Sequence, residues 1–176
     1  MMIRPGRFNT YLLLAAAVLC IVGCETPESK QKKEISNLRI HLQVNADGTK
    51  SYELVSVFRA SPVMINIGKS PLLTELHLSS AKLLDVMGGY SIQLQFNRAG
   101  IWLLEQYTTA NKGRHLAIFS QFGETAAESR WLAAPLIQQR IADGVLTFTP
   151  DASREEADRI VRGLNNLVEQ NKKKGL

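Results

Sequence analysis

Apolar and polar residues alternate through Leu38-Arg39-Ile40-His41-Leu42-Gln43-Val44, the signature of a strand with one buried face. Tyr52 to Phe58 alternates in the same way, and Asn45-Ala46-Asp47-Gly48 between the two segments carries turn chemistry. The two segments predict a β-hairpin. Val63-Met64-Ile65-Asn66-Ile67 reads as a third strand, closed by Gly68, with Pro71 opposing continuation. Thr74 is placed to cap a short helical turn through Leu78. The stretch from Ala81 to Asn97 is ambiguous. Periodicity alone allows a helix from Glu75 to Val86, whereas Lys82–Val86 and Tyr90–Phe96 form a hairpin across Met87-Gly88-Gly89; the glycines and the alternation in Ser91–Phe96 favour the hairpin.

Asn97 is a helix cap for Arg98–Ala110, with Leu103, Leu104 and Tyr107 at core spacing and Gly113 as the left-handed stop. His115–Phe119 predicts a strand and Gln121–Ser129 a polar loop. Trp131–Ile141 and Val145–Phe148 predict two further strands joined at the Asp143-Gly144 turn. The last helix has the strongest local signals. Ser153 and Glu156 have capping-box spacing, and Ala157, Ile160, Val161, Leu164, Leu167 and Val168 follow a helical stripe that must be buried. Together these elements predict an α+β fold: an antiparallel β-sheet with helices packed on one face, plus an N-terminal β-hairpin.

The chain's beginning has a different pattern. Arg4 and Arg7 precede a twelve-residue apolar run, Tyr11 to Val22. That length is too short for a membrane span, which needs roughly 20 residues, and it suits a secretion signal. Ile21-Val22-Gly23-Cys24 resembles a lipobox, so Cys24 is expected to be the lipidated first residue of the mature protein. Cys20 leaves with the leader, and no internal disulfide is then expected despite an oxidising compartment. Glu25 after the cysteine slightly favours the outer over the inner membrane. The expected layout is a signal peptide over 1–23, a flexible tether over 24–36, one domain over 37–171 and a basic tail over 172–176.

The full chain carries 21 basic and 16 acidic residues; without Arg4 and Arg7 the net charge is +3. That excess is too mild to imply nucleic acid. His41, His77 and His115 fall in no metal-binding spacing, and no metal or cofactor beyond the covalent lipid is expected. No P-loop, Rossmann or nucleophile-elbow motif is present, and Gly88-Gly89 suits a hairpin turn better than a phosphate cradle. The capping box accounts for Glu155-Glu156 without catalysis, so no enzyme activity is expected. Trp102 and Trp131 are candidate binding aromatics, and Trp102 lies off the best apolar stripe. Arg114, after Gly113, is a second candidate contact, although such an arginine more often pairs with a carboxylate.

From Pro71 onward the residue order resembles the head of the first large periplasmic domain of SecD, of the SecDF family. The resemblance is densest in GIWLLEQYTTANKGRHLAI, where Gly100, Leu104, Thr108, Asn111, Gly113-Arg114 and Leu116-Ala117-Ile118 follow the family order. Ala134-Pro135, Ile141, Gly144 and Glu155-Glu156-Ala157 continue it. The Gln121–Ser129 loop is longer than the family turn, and Pro150 stands where the family has glycine. The resemblance implies a ferredoxin-like head, and together with the lipobox at Cys24 the expectation is a lipid-anchored, periplasm-facing binding module of the cell envelope. Its implied partners are exported or unfolded polypeptides or Sec translocase components. A structural or assembly lipoprotein that reuses the fold is the alternative.

Overall fold

The computed structural model describes residues 31–46, 48 and 51–175. Cys24, the leader and most of the expected tether lie outside the described residues. The element order is β1 (Ile35–Leu42), β2 (Tyr52–Val57), β3 (Val63–Gly68), β4 (Leu73–Thr74), a 3-10 turn (Glu75–His77), β5 (Leu78–Val86), β6 (Gly89–Phe96), α1 (Arg98–Ala110), β7 (Leu116–Gly123), β8 (Glu128–Ala133), β9 (Val145–Phe148) and α2 (Arg154–Lys174). The α+β class holds, and every strand pairing is antiparallel.

The strands divide among three sheets: β4-β1-β7-β8, β5-β6-β9 and the hairpin β2-β3. From β5 onward the order is two strands, a helix, three strands and a helix. The ferredoxin-like expectation therefore carries over as antiparallel strands backed by helices, not as that fold's βαββαβ order. One core runs through the four- and three-stranded sheets and α2, with Phe96, Phe122, Leu104 and Leu164 among its members. A second cluster seats the hairpin on the opposite face of β7, where Val55, Val57, Ile65 and Ile67 meet Ala117. β7 is thus buried on both faces, which is why Leu116-Ala117-Ile118-Phe119 is a continuous apolar run instead of an alternation.

Local signals place both helices well. Asn97 accepts a hydrogen bond from the Gly100 N–H at 3.0 Å, and α1 spans the expected residues. The Ser153 hydroxyl accepts from the Glu156 N–H at 3.1 Å while the Glu156 carboxylate accepts from the Ser153 N–H at 2.7 Å. The β5–β6 hairpin closes over Met87-Gly88, as the glycines favoured.

Four expectations are corrected. β1 does not pair with β2: it pairs along its whole length with β7, from Ile35↔Gly123 to Leu42↔Leu116, and β2 forms the N-terminal hairpin with β3 instead. Ile35 and Ser36, assigned to the tether, belong to β1. The loop expected over Gln121–Ser129 shrinks to residues 124–127, because β7 continues to Gly123 and β8 begins at Glu128. Trp131–Ile141 is strand only to Ala133; Pro135 follows, and β9 pairs with β6 rather than with this segment.

Candidate functional site

The segment from Ala134 to Gly144 leaves β8 and straps across the end of α1 before re-entering as β9. Its backbone is tied at both ends of the crossing. The Leu116 N–H donates to Pro135 O, the Ile137 N–H to Arg114 O and the Gly113 N–H to Ile137 O, all within 2.8–2.9 Å. Thr108, buried in α1, accepts from the Ile141 N–H at 3.0 Å, and Arg140 pairs with Glu105. Gly144 has φ +69, and a Cβ there would lie 2.2 Å from Ile101 Cγ1, so α1 presses directly on the entrance to β9. Glycine is required at this point both by the left-handed backbone and by the missing space.

Between this strap and β9 lies a groove of roughly 560 Å³, with Leu116, Pro135, Ile137, Ile141 and Leu146 on its walls. Leu136 is 46% exposed at its rim. The strand beside it is an edge. Phe96 donates its N–H to Gly144 O, which fixes the parity of the β6–β9 ladder: Leu146 and Phe148 turn their backbone groups toward β6, and Val145 and Thr147 turn theirs away. The Val145 N–H is taken by Asp143 Oδ1 at 3.1 Å. The Thr147 N–H and C=O and the Val145 C=O remain open among the described residues.

The opposite edge of the same sheet is capped at Ala81. Ala81 on β5 turns both backbone groups away from β6, and Asn165 of α2 satisfies both, accepting from the Ala81 N–H at 2.9 Å and donating to its C=O at 3.0 Å. β2 also ends a sheet, but the groove lies beside β9.

The other sequence candidates scatter. Trp102 is 63% exposed on α1, next to Ile101, and does not line the groove. Arg114 sits where the strap begins and donates to Gln43 O at 3.4 Å; no carboxylate among the described residues pairs with it. The structure does not bring these two together. Trp131 is half-buried under the hairpin, with its ring against His41 and Phe119. His41, a polar position in the β1 alternation, is 7% exposed because the hairpin covers that face; burial holds its pKa below the usual value, and Nδ1 bonds Gly68 O at 2.8 Å. His77 accepts from the Thr74 N–H at 3.1 Å, and His115 Nδ1 meets Gln43 Oε1 at 2.9 Å. No group of three metal-ligating side chains occurs among the described residues. Glu156 makes a two-pronged contact with Arg130 at 2.8 and 2.9 Å, and this arginine holds its carboxyl down at about 2. Sequence reasoning missed β9 as a site because its open edge depends on pairing parity, which no local motif encodes.

A family model described as SecDF, P1 head subdomain, matches residues 50–166. The chain belongs to that family. The match starts earlier than the motif order at Pro71, and it takes in the hairpin β2-β3, the strap and β9. No curated protein sequence matches. Two solved structures share the fold. One, described as SecDF in a super-membrane-facing form, has TM-score 0.54 and 20% identity over 81% of this chain and 21% of its own. The other, described as a membrane component SecDF that enhances protein export, has TM-score 0.54 and 18% identity over 94% of this chain and 90% of its own. This chain therefore spans about one fifth of the first and most of the second. No helix among the described residues is long and apolar enough to cross a membrane. The described residues carry the SecDF P1 head-subdomain fold.

Proposed function

We propose that this SecDF-head domain is a non-enzymatic binding module, lipid-anchored through Cys24 in the cell envelope, that takes extended polypeptide at the β9 edge. The observation that carries the reading is the open backbone of Thr147 beside the groove under the strap, whose walls include Leu116, Ile137 and Ile141. An incoming segment would add as a strand to β9 and place alternate side chains against Ile137 and Ile141. Trp102 and Arg114 lie outside this contact, so binding centres on β9. Exported polypeptides or translocase components are the partner class.

The test uses Thr147→Pro. Proline is tolerated on an edge strand where its missing N–H faces away from the ladder, so the fold should survive while the open donor is lost. A photocrosslinker at Leu136 should capture secretory polypeptides or translocase components in envelope extracts, and Thr147→Pro should abolish the adducts with an unchanged Tm. Adducts that persist in Thr147→Pro, or an absence of such partners, would sink the reading. For the anchor, labelled palmitate should enter the wild type and not Cys24→Ser.

A further inference from the structure

The chain enters the domain along α2, and the tether is shorter than its composition suggests. Residues 31–33 are helical. Asn166 Nδ2 donates to Gln31 O and to Glu34 O, both at 2.9 Å. Glu34 is buried, and its carboxylate accepts from Arg159 and Arg162 at 3.2 Å each. The chain is thus held from Gln31 onward. Seven residue steps separate Cys24 from Gln31, and at full extension they span about 25 Å.

The surface where the chain enters is basic. Lys32 and Lys173 line one cleft together with Asn166, Glu169 and Gln170. Lys172 borders a second cleft formed with Leu76, Asn97 and Val168. Lys32, Lys172, Lys173 and Lys174 are exposed, and none has an ion-pair partner among the described residues. Glu169 is the one carboxylate in the first cleft. Lys32 and Lys173 sit beside the point where the tether departs, and Lys172 lies on a neighbouring side of α2 toward Leu76 and Asn97.

We infer that this lysine face docks on an anionic bilayer surface and sets the orientation of the domain on the membrane. The inference rests on the lipid-anchor reading for the tether's far end, but the lysine face itself does not depend on it. A tether that can reach at most about 25 Å keeps Lys32 and the cleft it shares with Lys173 close to the headgroups. A lysine at an anionic surface contributes roughly fivefold in affinity, so a few of them bias orientation strongly once the lipid has removed the cost of association. The basic side chains are not interleaved with aromatics, which argues for a lipid surface over single-stranded nucleic acid.

The chain from residue 24, with Cys24→Ser, contains every described element and both hydrophobic clusters, and it is the form to assay once its melting is shown to be cooperative. Flotation compares vesicles of phosphatidylcholine alone with vesicles containing about one-third phosphatidylglycerol, at low and high salt. Binding to the anionic vesicles should be at least about tenfold stronger, and should be lost at high salt. Lys32→Gln/Lys172→Gln/Lys173→Gln should remove it without lowering Tm, and Thr147→Pro should leave it intact. Equal binding to both vesicles, salt-insensitive binding, binding unchanged in the triple variant, or a preference for single-stranded nucleic acid over anionic vesicles would each overturn the inference. Because no polypeptide is present, failure here leaves the β9 reading standing, and failure of β9 crosslinking leaves this one standing.

Discussion

Gly163 gives the sharpest test of how α2 is seated. It lies in the buried stripe of a helix interior, where glycine ordinarily costs about 1 kcal/mol relative to alanine. Propensity alone therefore says that Gly163→Ala stabilises the protein. The packing says the opposite. A Cβ at this position would lie 2.6 Å from Ser36 Oγ, 2.7 Å from the Ile35 carbonyl carbon and 2.8 Å from Ser36 N. Two of those atoms are β1 backbone, and β1 is locked here by the Ile35↔Gly123 and Ser36↔Phe122 pairs with β7. Neither helix nor strand can give without moving the other. Overpacking of a rigid contact costs about 1–3 kcal/mol, and backbone contacts put this case at the upper end. The net effect is a loss of about 1–2 kcal/mol. For a domain of this size that lowers Tm by about 3–6 °C. Thermal unfolding followed by far-UV circular dichroism, with a urea titration to check that the m-value is unchanged, measures it. Ser36 adds an internal control. Its hydroxyl is buried with no hydrogen-bond partner among the described residues, so Ser36→Ala should stabilise the protein by about 1 kcal/mol. In the double variant the closest contact is gone but the backbone contacts stay, so the rescue of Gly163→Ala should be partial and non-additive. A Gly163→Ala protein at least as stable as wild type would refute the close α2–β1 seating.

Three more measurements follow from the same contacts. Arg130→Met removes the partner that depresses the Glu156 carboxyl and should cost about 1 kcal/mol at neutral pH, given the two-pronged geometry. A depressed folded-state pKa stabilises above the unfolded value, so the gap between wild type and Arg130→Met should be full above 4.5 and close as pH falls toward about 2; a gap independent of pH would contradict the pairing. Asn165→Asp replaces the donor that faces Ala81 C=O with an acceptor, so it should lower stability by about 1–3 kcal/mol, and increased self-association through the uncovered β5 edge should appear in light scattering. His41 is buried in its neutral form between Trp131 and Gly68 O, so charging it opposes the fold. Acid should loosen the hairpin before the core, visible as earlier amide exchange in β2 and β3 than in β7.

Much of the fold was legible where the signal is local. The Asn97 cap and the Ser153/Glu156 box place α1 and α2 because capping chemistry involves residues three apart in the chain. The β5–β6 hairpin was legible for the same reason, since Gly88 takes a left-handed turn between adjacent strands. Partner choice was not legible. Alternation says which side of a strand is buried and nothing about its neighbour, and turn chemistry at Asn45–Gly48 and Asp143-Gly144 serves any reversal of direction. In both places the nearest strand in sequence lost to a distant one, β7 for β1 and β6 for β9. The polar loop failed for another reason. Gln121 opens what looks like a loop, yet Phe122 is fully buried in β7 and pairs with Glu128 of β8 across the turn. The candidate site combines both difficulties, because the open groups of β9 follow from its pairing with β6 and the groove follows from the strap.

An uncovered strand edge is a hazard, and Asn165 covers Ala81 on β5 while the outer side of β9 stays bare at Thr147. What remains bare sets the strength of any strand that adds there. Asp143 already holds the Val145 N–H, so an incoming segment finds one donor and two acceptors. Three backbone hydrogen bonds contribute about 3 kcal/mol net, and one or two apolar side chains in the groove add about 2 kcal/mol each. Loss of translational and rotational freedom on association consumes at least about 4 kcal/mol of that sum. The balance, at most about 1–3 kcal/mol, corresponds to an affinity of several millimolar or weaker. On the strand-addition reading, the module is expected to bind weakly, release quickly and tolerate many sequences, which suits contact with moving chains. Titrating isotope-labelled protein with extended apolar peptides should shift the Thr147 amide progressively, in fast exchange, with little preference between scrambled sequences. Slow exchange with nanomolar affinity for one sequence would mean that the edge is a specific docking site, and that the polypeptide-handling reading is wrong.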